Sequence, residues 1–424
     1  MKTRINRLLK SKLVKNSMWL FVLKIMSTII PMLTIPYITR ILGATEYGIF
    51  SIALNWVLYF QVIVEYGFAL TGARKIALDS SKENIQNLFN NIISSRLILF
   101  IVSFALMNIL SLIFHLNIEI YLCMILLFTM VFGTALQLTW LFQGLQDMKF
   151  ITITDSISRI VSVILIFLII TDSSDIYLYC ILYSITTLLS SIISLILVKK
   201  KYNLKFKFAT FSNIKKELAD GKELFASACA TKIFSGIGLT ILGIVTTKRI
   251  TGIYSAISKI PLVLTYMFAP ISQALYPYSS EQYQKSFDYA INKIKKIAVP
   301  IAIFFTIISL IIAIFRNLII FKLFGSEYVD YSVVLIPLVI QFIFAIINNF
   351  LGIQILVASG NQKKYSKVFI IDSTLMFILN ILLGYKYKIY GVAFANPIGE
   401  IVLTILLYFE VSKIKKGRSK LWLK

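Results

Sequence analysis

The feature that most constrains this chain is a series of long apolar runs separated by short polar stretches. Each run has 18 residues or more, enough to cross a ~30 Å hydrocarbon layer as a helix. Spanning strands would instead show apolar–polar alternation in shorter segments. The sequence therefore predicts an all-α integral membrane protein of about twelve transmembrane helices. The predicted spans are 17–39, 46–70, 90–115, 120–141, 153–171, 176–198, 222–246, 253–278, 297–321, 332–357, 368–385 and 391–412.

Composition agrees with this interpretation. The chain is 58% hydrophobic and 15% charged, whereas soluble domains carry about 25% charged residues. The stretch from Lys2 to Lys15 is basic, and the apolar run that follows shows no small-residue cleavage site. We therefore expect a retained first helix rather than a signal peptide.

The net charge of +24 would suit a nucleic-acid binder if the basic residues formed one surface. They instead follow the predicted topology. The stretches on the side of the N-terminus hold 31 Lys and Arg residues, and the opposite side holds 6. By the positive-inside rule both termini face the cytoplasm. The expected electrostatic partners are anionic membrane lipids, not nucleic acid.

The two halves of the chain contain a short repeat. Segment 47–53 reads YGIFSIA and segment 251–257 reads TGIYSAI, and each opens the second helix of its half. Six spans separate them, so the halves have the same orientation, related by a parallel pseudo-twofold axis. Such repeats commonly place a substrate path between the halves. We predict two six-helix bundles at 1–200 and 223–424, joined by a basic cytoplasmic linker at 201–222.

Several charges fall inside predicted spans, where a central Lys or Asp costs ~2.5–3.5 kcal/mol. Asp155 and Arg159 are four residues apart and are expected to pair. Arg96 and Arg316 lie near span ends, and we expect them to reach the lipid headgroups.

Lys24 and Lys232 are deeper and occupy comparable positions in the first helix of their halves. Two such lysines near a pseudo-twofold axis would line a central cavity that faces an anion. A structural ion pair, for instance Lys232 with Glu400, is the alternative explanation.

Five further intramembrane polar residues are candidates. Glu400 and Glu65 are candidate coupling or structural acids, and Lys259 is a further cation. Gln341 and Asn348 lie seven residues apart on one helix face. They would hydrogen-bond either sugar hydroxyls or another helix.

No enzyme motif is found. The chain has no phosphate-binding loop, no zinc-protease motif and one histidine, which excludes most acid–base schemes. Its three cysteines lie in apolar runs and form no CxxC pair, so we predict no metal site and no cofactor.

Several motifs resemble those of polysaccharide flippases of the Wzx type. The resemblance covers nearly the whole chain, with one conservative departure: the family more often has DFG where residues 65–67 read EYG. The motifs are 36–43 (PYITRILG), 47–48 (YG), 65–68 (EYGF), 72–77 (GARKIA), 270–277 (PISQALYP), 323–325 (LFG) and 351–354 (LGIQ).

The resemblance implies the multidrug/oligosaccharidyl-lipid/polysaccharide exporter fold, with two six-helix bundles around a central cavity. It implies flipping of an undecaprenyl-diphosphate-linked oligosaccharide to the outer leaflet of a bacterial inner membrane, for O-antigen or capsule. Lys24 and Lys232 would receive the diphosphate, Arg40 and Lys259 would act on the outer side, and Arg74 on the inner side.

We expect a monomer, with a polysaccharide polymerase and other assembly proteins as candidate partners. Two alternatives remain at this point. A multidrug or small-cation exporter of the same fold should prefer acidic residues in its cavity. A membrane polysaccharide polymerase should carry a long outer loop or a catalytic acid site.

Overall fold

The computed structural model describes residues 12–421, and within that range the chain is helical apart from short connections. The basic residues at 1–11 and 422–424, which contribute to the predicted orientation, lie outside the described residues. Ten helices in the described range are long and apolar enough to cross a membrane. Two of them, Met18–Leu78 and Gln362–Lys415, have 61 and 54 residues, far more than the ~20 that one crossing needs.

The first of these long helices reverses direction at Gly43. Gly43 has φ 72°, a left-handed conformation that glycine adopts without steric penalty. Before it, the Tyr37 hydroxyl donates to the carbonyl of Ile170 (2.7 Å). After it, the Phe50 ring lies 4.6 Å from that of Tyr179, and the Gln61 amide donates to the Thr134 hydroxyl at the opposite end of the unit. The chain therefore runs out to Gly43 and returns.

The last long helix folds back at Lys388, which has φ 53°. The Asn380 amide donates to the Asn396 side-chain oxygen (3.2 Å), eight residues on either side of the turn. A Cβ on Gly391 would overlap the Leu383 carbonyl oxygen, so only glycine allows this close approach. With these two reversals the ten long helices of the described range make twelve crossings, which confirms the predicted count.

The chain divides into two compact units, one ending at Ser235 and the other beginning at Gly236. The division falls inside one long helix, beyond the predicted linker at 201–222. The helices of the first unit are α1 (Lys12–Glu65), α2 (Phe68–Leu78), α3 (Lys82–Ile113), α4 (Ile118–Leu136), α5 (Thr139–Gly144), α6 (Met148–Ile169), α7 (Ile176–Tyr202) and the start of α8 (Phe211–Val245). Those of the second are the end of α8, α9 (Lys248–Ile257), α10 (Lys259–Lys285), α11 (Phe287–Ile314), α12 (Arg316–Phe324), α13 (Leu335–Asn349) and α14 (Gln362–Leu421).

Large apolar side chains lie on the outside of both units. In a soluble protein such surfaces would promote aggregation, but on membrane-spanning helices they meet lipid. Examples that are more than half exposed are Ile101, Leu112, Leu168, Ile303, Ile370 and Leu382.

The segment between α7 and α8 is bound to α3 rather than loose. The backbone N–H groups of Lys205, Lys207 and Ala209 donate to the side-chain oxygens of Gln86, Asn90 and Ser94. Four helical residues rise ~6 Å, close to the ~6.6 Å spanned by two extended residues. This match lets alternate linker residues bond to every fourth residue of α3.

Polar side chains join the helices of the second unit. Gln354 is fully buried and lies in a π-helical segment, Phe350–Val357. Its amide donates to Ser272 of α10, and its carbonyl oxygen accepts from Ser279 (2.9 Å). Ser272 in turn donates to Asn349 (2.8 Å). The PISQALYP and LGIQ motifs are therefore linked to each other inside this unit.

Candidate functional site

The EYGF motif forms a tight turn that positions Glu65 at the end of α1. Tyr66 and Gly67 both have positive φ, 46° and 76°, so the chain turns sharply into α2. The turn packs on α8, where the Tyr66 ring stacks on Phe225 with centroids 4.4 Å apart. A Cβ on Gly67 would lie 2.7 Å from the Leu224 Cβ. Glycine is required here both for the backbone conformation and for this close contact.

Arg96 of α3 is buried behind this turn. It is 2% exposed, and its guanidinium donates to the carbonyls of Thr134 (3.3 Å) and Gln137 (2.7 Å) at the end of α4. It also lies over the Phe68 ring, 5.7 Å from the centroid. The prediction that Arg96 reaches the headgroups is wrong. It donates hydrogen bonds to two carbonyl groups where α4 ends. The sequence around Arg96 does not reveal this role.

Three intramembrane charges interact in the first unit. Glu65 interacts electrostatically with Arg96 and with Lys232 of α8. Two cations and one carboxylate leave an excess of one positive charge. Arg96 is sealed from solvent, whereas Lys232 is half-buried. Lys232 is therefore the cation of this group that a ligand can reach.

Lys232 lines a pocket of about 300 Å³ between α1, α3 and α8. The walls are apolar and aromatic, as illustrated by Trp56, Leu106 and Phe225. Lys232 is the one charged side chain among the described residues that line it. Such a pocket suits a ligand that is mostly hydrocarbon and carries a negative charge at one point.

The other predicted cations of the first unit do not line this pocket. Lys24 and Arg40 are exposed on α1, and Arg74 is exposed on α2. The residue next to Arg74, Lys75, is bound to two carboxylates of α8, Glu217 (2.8 Å) and Asp220 (2.7 Å). The predicted Asp155–Arg159 pair is confirmed at 2.9 Å.

In the second unit the structure brings together two predicted residues. The Asn348 amide donates to the Glu400 carboxylate (2.7 Å), and its carbonyl oxygen accepts from the Thr404 hydroxyl (2.7 Å). Glu400 also interacts electrostatically with Asp372, which is 2% exposed. Of the two alternatives for Asn348, the structure shows a contact with another helix.

For the two other predicted residues of this unit, the structure gives the position. Lys259 is half-buried at the start of α10, and Gln341 is half-buried on α13. Asp372 was missed as a candidate. Its acidic side chain within an apolar run was the available indication.

Twelve apolar crossings in two units, with interacting charges inside the membrane, are typical of a multi-pass helical transport protein. The polysaccharide biosynthesis protein family matches residues 13–283, and this chain belongs to that family. The resemblance to flippases of the Wzx type is thereby confirmed.

Relatives match along the chain. A putative O-antigen transporter of Escherichia coli (strain K12) is 27% identical over 411 residues, 96% of this chain and 98% of the relative. A capsular polysaccharide biosynthesis protein, CapF of Staphylococcus aureus, is 27% identical over 284 residues, 65% of this chain and 70% of the relative.

Solved structures share the fold. The lipid II flippase MurJ in an inward closed conformation superposes with a TM-score of 0.73 at 18% identity, covering 94% of this chain and 87% of MurJ. An inward-facing multidrug resistance MATE family transporter of the MOP superfamily gives 0.57 at 15% identity, covering 92% and 99%. The chain has the fold of that superfamily, the multidrug/oligosaccharidyl-lipid/polysaccharide exporters.

Proposed function

We propose that this protein flips an oligosaccharide linked to undecaprenyl diphosphate from the inner to the outer leaflet of a bacterial cell membrane, by alternating access. The product would serve surface polysaccharide synthesis: O-antigen, capsule or another glycan. The observation that carries the proposal is the end-to-end similarity to a putative O-antigen transporter.

The chemistry of the first unit supports this function. A lipid-linked sugar diphosphate combines a hydrocarbon chain, two or more negative charges and a polar glycan. Lys232 supplies a cation beside an apolar pocket, and the formal charges of Glu65, Arg96 and Lys232 sum to +1. Lys24, Arg40, Arg74 and Lys259 are proposed as further substrate-binding cations along the path.

The direction of transport needs no nucleotide. With the cytoplasm negative, outward movement of negative charge is favoured by ~2.3 kcal/mol per charge per 100 mV. We propose that the protein is a transporter and not an enzyme. Glu400 and Glu65 remain candidate coupling or structural acids.

The contacts in the first unit support the proposed topology. Asn16 donates to the Gln146 carbonyl, Lys201 pairs with Asp147, and the linker bonds to the start of α3. Predicted cytoplasmic stretches thus meet at one end of the unit. We propose an inner-membrane location with both termini in the cytoplasm. Cysteine introduced at Lys207 should resist a membrane-impermeant maleimide in intact cells, and labelling there would reverse the orientation.

A multidrug or cation exporter is not favoured. Its support is the fold of the MATE transporter at 15% identity, whereas the full-length relative is a putative O-antigen transporter. The pocket in the first unit also presents a lysine rather than an acid.

The decisive experiment reconstitutes the purified protein in liposomes with a fluorescent undecaprenyl-diphosphate oligosaccharide. We expect the probe to reach the opposite leaflet faster than in protein-free liposomes, as measured by reduction of the accessible fluorophore. Extrusion of cationic dyes with no movement of this lipid would overturn the proposal.

A further inference from the structure

The pocket beside Lys232 is built from three helical stripes. On α8, Phe225, Cys229 and Lys232 follow the spacing of one helix face. On α1, Trp56 and Ile63 share a second face, seven residues apart, and α3 contributes a third wall. Lys232 lies at one end of the α8 stripe, seven residues or about 10 Å from Phe225. The pocket is therefore apolar along its length and positively charged at one end.

The size of the pocket limits what it can hold. Its volume of about 300 Å³ is twice the ~150 Å³ of an apolar cavity that binds one benzene molecule. About ten to twelve carbon atoms therefore fit, which corresponds to about two isoprene units. A whole polyprenyl chain or a complete phospholipid would extend beyond the pocket, which is partly open.

We propose that this pocket binds the isoprene units next to the diphosphate of the lipid carrier, with the Lys232 ammonium on the phosphate. This inference rests on the proposed function and adds a defined site for the lipid. In a polyprenyl diphosphate the phosphate is bonded directly to the first isoprene unit. The charge therefore stands at the end of a short hydrocarbon segment, as Lys232 stands at the end of the apolar stripe. In a glycerophospholipid, a glycerol separates the phosphate from two chains.

The protein contains a natural reporter for this site. Cys229 lines the pocket and is half-buried, whereas Cys123 and Cys180 are fully buried. Alkylation of the wild-type protein by N-ethylmaleimide should therefore modify Cys229 first, and mass spectrometry gives its rate. Geranyl diphosphate, which has two isoprene units, is the probe.

We expect geranyl diphosphate at ten times its dissociation constant to slow Cys229 alkylation about tenfold, by simple occupancy of the site. Inorganic diphosphate and geraniol at the same concentration should protect less, because each supplies one half of the interaction. Equal protection by inorganic diphosphate would overturn the proposal. So would equal protection by a phosphatidylglycerol, which would make the pocket a general lipid site.

Two variants test the two halves of the site. Lys232→Ala should remove the advantage of geranyl diphosphate over geraniol. Leu110→Trp, which fills the pocket from α3, should abolish protection and lower lipid flipping. The matched control is Ile109→Trp on the same helix, since Ile109 is 52% exposed and does not line the pocket. Membrane levels of all variants identify any that fail to fold, and the wild-type protection assay stands without them.

The two proposals fail separately. If Leu110→Trp flips the lipid at the rate of Ile109→Trp, and geranyl diphosphate gives no protection, the pocket is not the isoprene site but the flippase function stands. If the wild-type protein moves no lipid-linked oligosaccharide in liposomes, the proposed function fails whatever Cys229 reports.

Discussion

In the second unit two networks of buried side chains join helices, whereas in the first unit one intramembrane cation binds backbone carbonyls and another lies beside an open pocket. Gln354 joins Ser272 and Ser279, and Asn348 joins Glu400 and Thr404. In the first unit Arg96 binds carbonyls, while Lys232 lines a pocket.

The comparison shows that intramembrane polar side chains can have two roles. A buried polar group without a partner costs several kcal/mol in lipid, so side chains that satisfy each other mainly fix helix packing. A half-buried cation beside apolar walls can instead bind an anionic ligand that enters the pocket. We therefore expect mutations in the second unit's network to affect stability, and mutations at Lys232 to affect transport.

Arg96→Ala should have the largest effect. It removes the hydrogen bonds to the Thr134 and Gln137 carbonyls and leaves Glu65 with one cation fewer. Breaking such a buried charge site costs ~3–5 kcal/mol. We expect a large loss of membrane-inserted, monodisperse protein, measured by fluorescence-detected size-exclusion chromatography with heating. Arg74→Ala, at an exposed position on α2, should change stability by less than ~0.5 kcal/mol. A fully stable Arg96→Ala protein would show that Arg96 is not needed for the stability of the first unit.

Lys232→Ala should lower flipping with near-normal protein level. Loss of a charge-assisted hydrogen bond of ~1.5–3 kcal/mol corresponds to roughly a 10- to 150-fold decrease in rate. Arginine should restore more activity than glutamine, because the positive charge and its donors are what the phosphate needs. Lys222→Ala on the same helix is the control, and Lys24→Ala tests whether the second predicted cation contributes equally. A Lys232→Ala protein that is unstable but regains function when Glu400 is also neutralised would favour the structural ion pair instead.

Gln354→Leu should lower stability by ~1–3 kcal/mol, since Ser272 and Ser279 lose their buried partner. Flipping per folded molecule should change little. Gln341→Leu is the counterpart, because Gln341 is a candidate sugar contact, and it should alter the preference among glycans with little thermal effect. Thermal unfolding and flipping of two different glycans measure both properties. If Gln341→Leu lowered stability and Gln354→Leu altered the glycan preference, the structural role would belong to Gln341 and the sugar contact to Gln354.

Asn90→Ala should have the smallest effect, about 0.5–1.5 kcal/mol for the lost hydrogen bond from the Lys207 N–H. The Asn90 oxygen also accepts from the Gln86 amide of the same helix. The linker segment should become more sensitive to protease, which limited proteolysis detects at that site. Asn87→Ala, at an exposed position on the same helix, should leave cleavage unchanged. Equal cleavage of both variants would mean that the hydrogen bonds to α3 do not hold the linker.

Much of the fold could be predicted because spanning helices depend on local hydropathy and length. The twelve apolar runs correspond to the twelve crossings, and even the reversal at Gly43 falls between two predicted spans. The Asp155–Arg159 pair was predictable for the same reason, since residues four apart on a helix are neighbours. Arg96 was misjudged because its partners are carbonyls at the end of α4, about forty residues away in sequence.

What the sequence determined by itself was the membrane class, the number of crossings, the family and which charges are costly enough to need a role. Only the tertiary structure decided which of those charges meet. Glu65, Arg96 and Lys232 lie on three different helices, and the pocket beside them exists only where α1, α3 and α8 pack. Hydropathy is a sum over neighbouring residues, so it is readable along the chain. A binding pocket forms only where residues distant in sequence meet in space, so packing sets its volume and decides which charged residues line it.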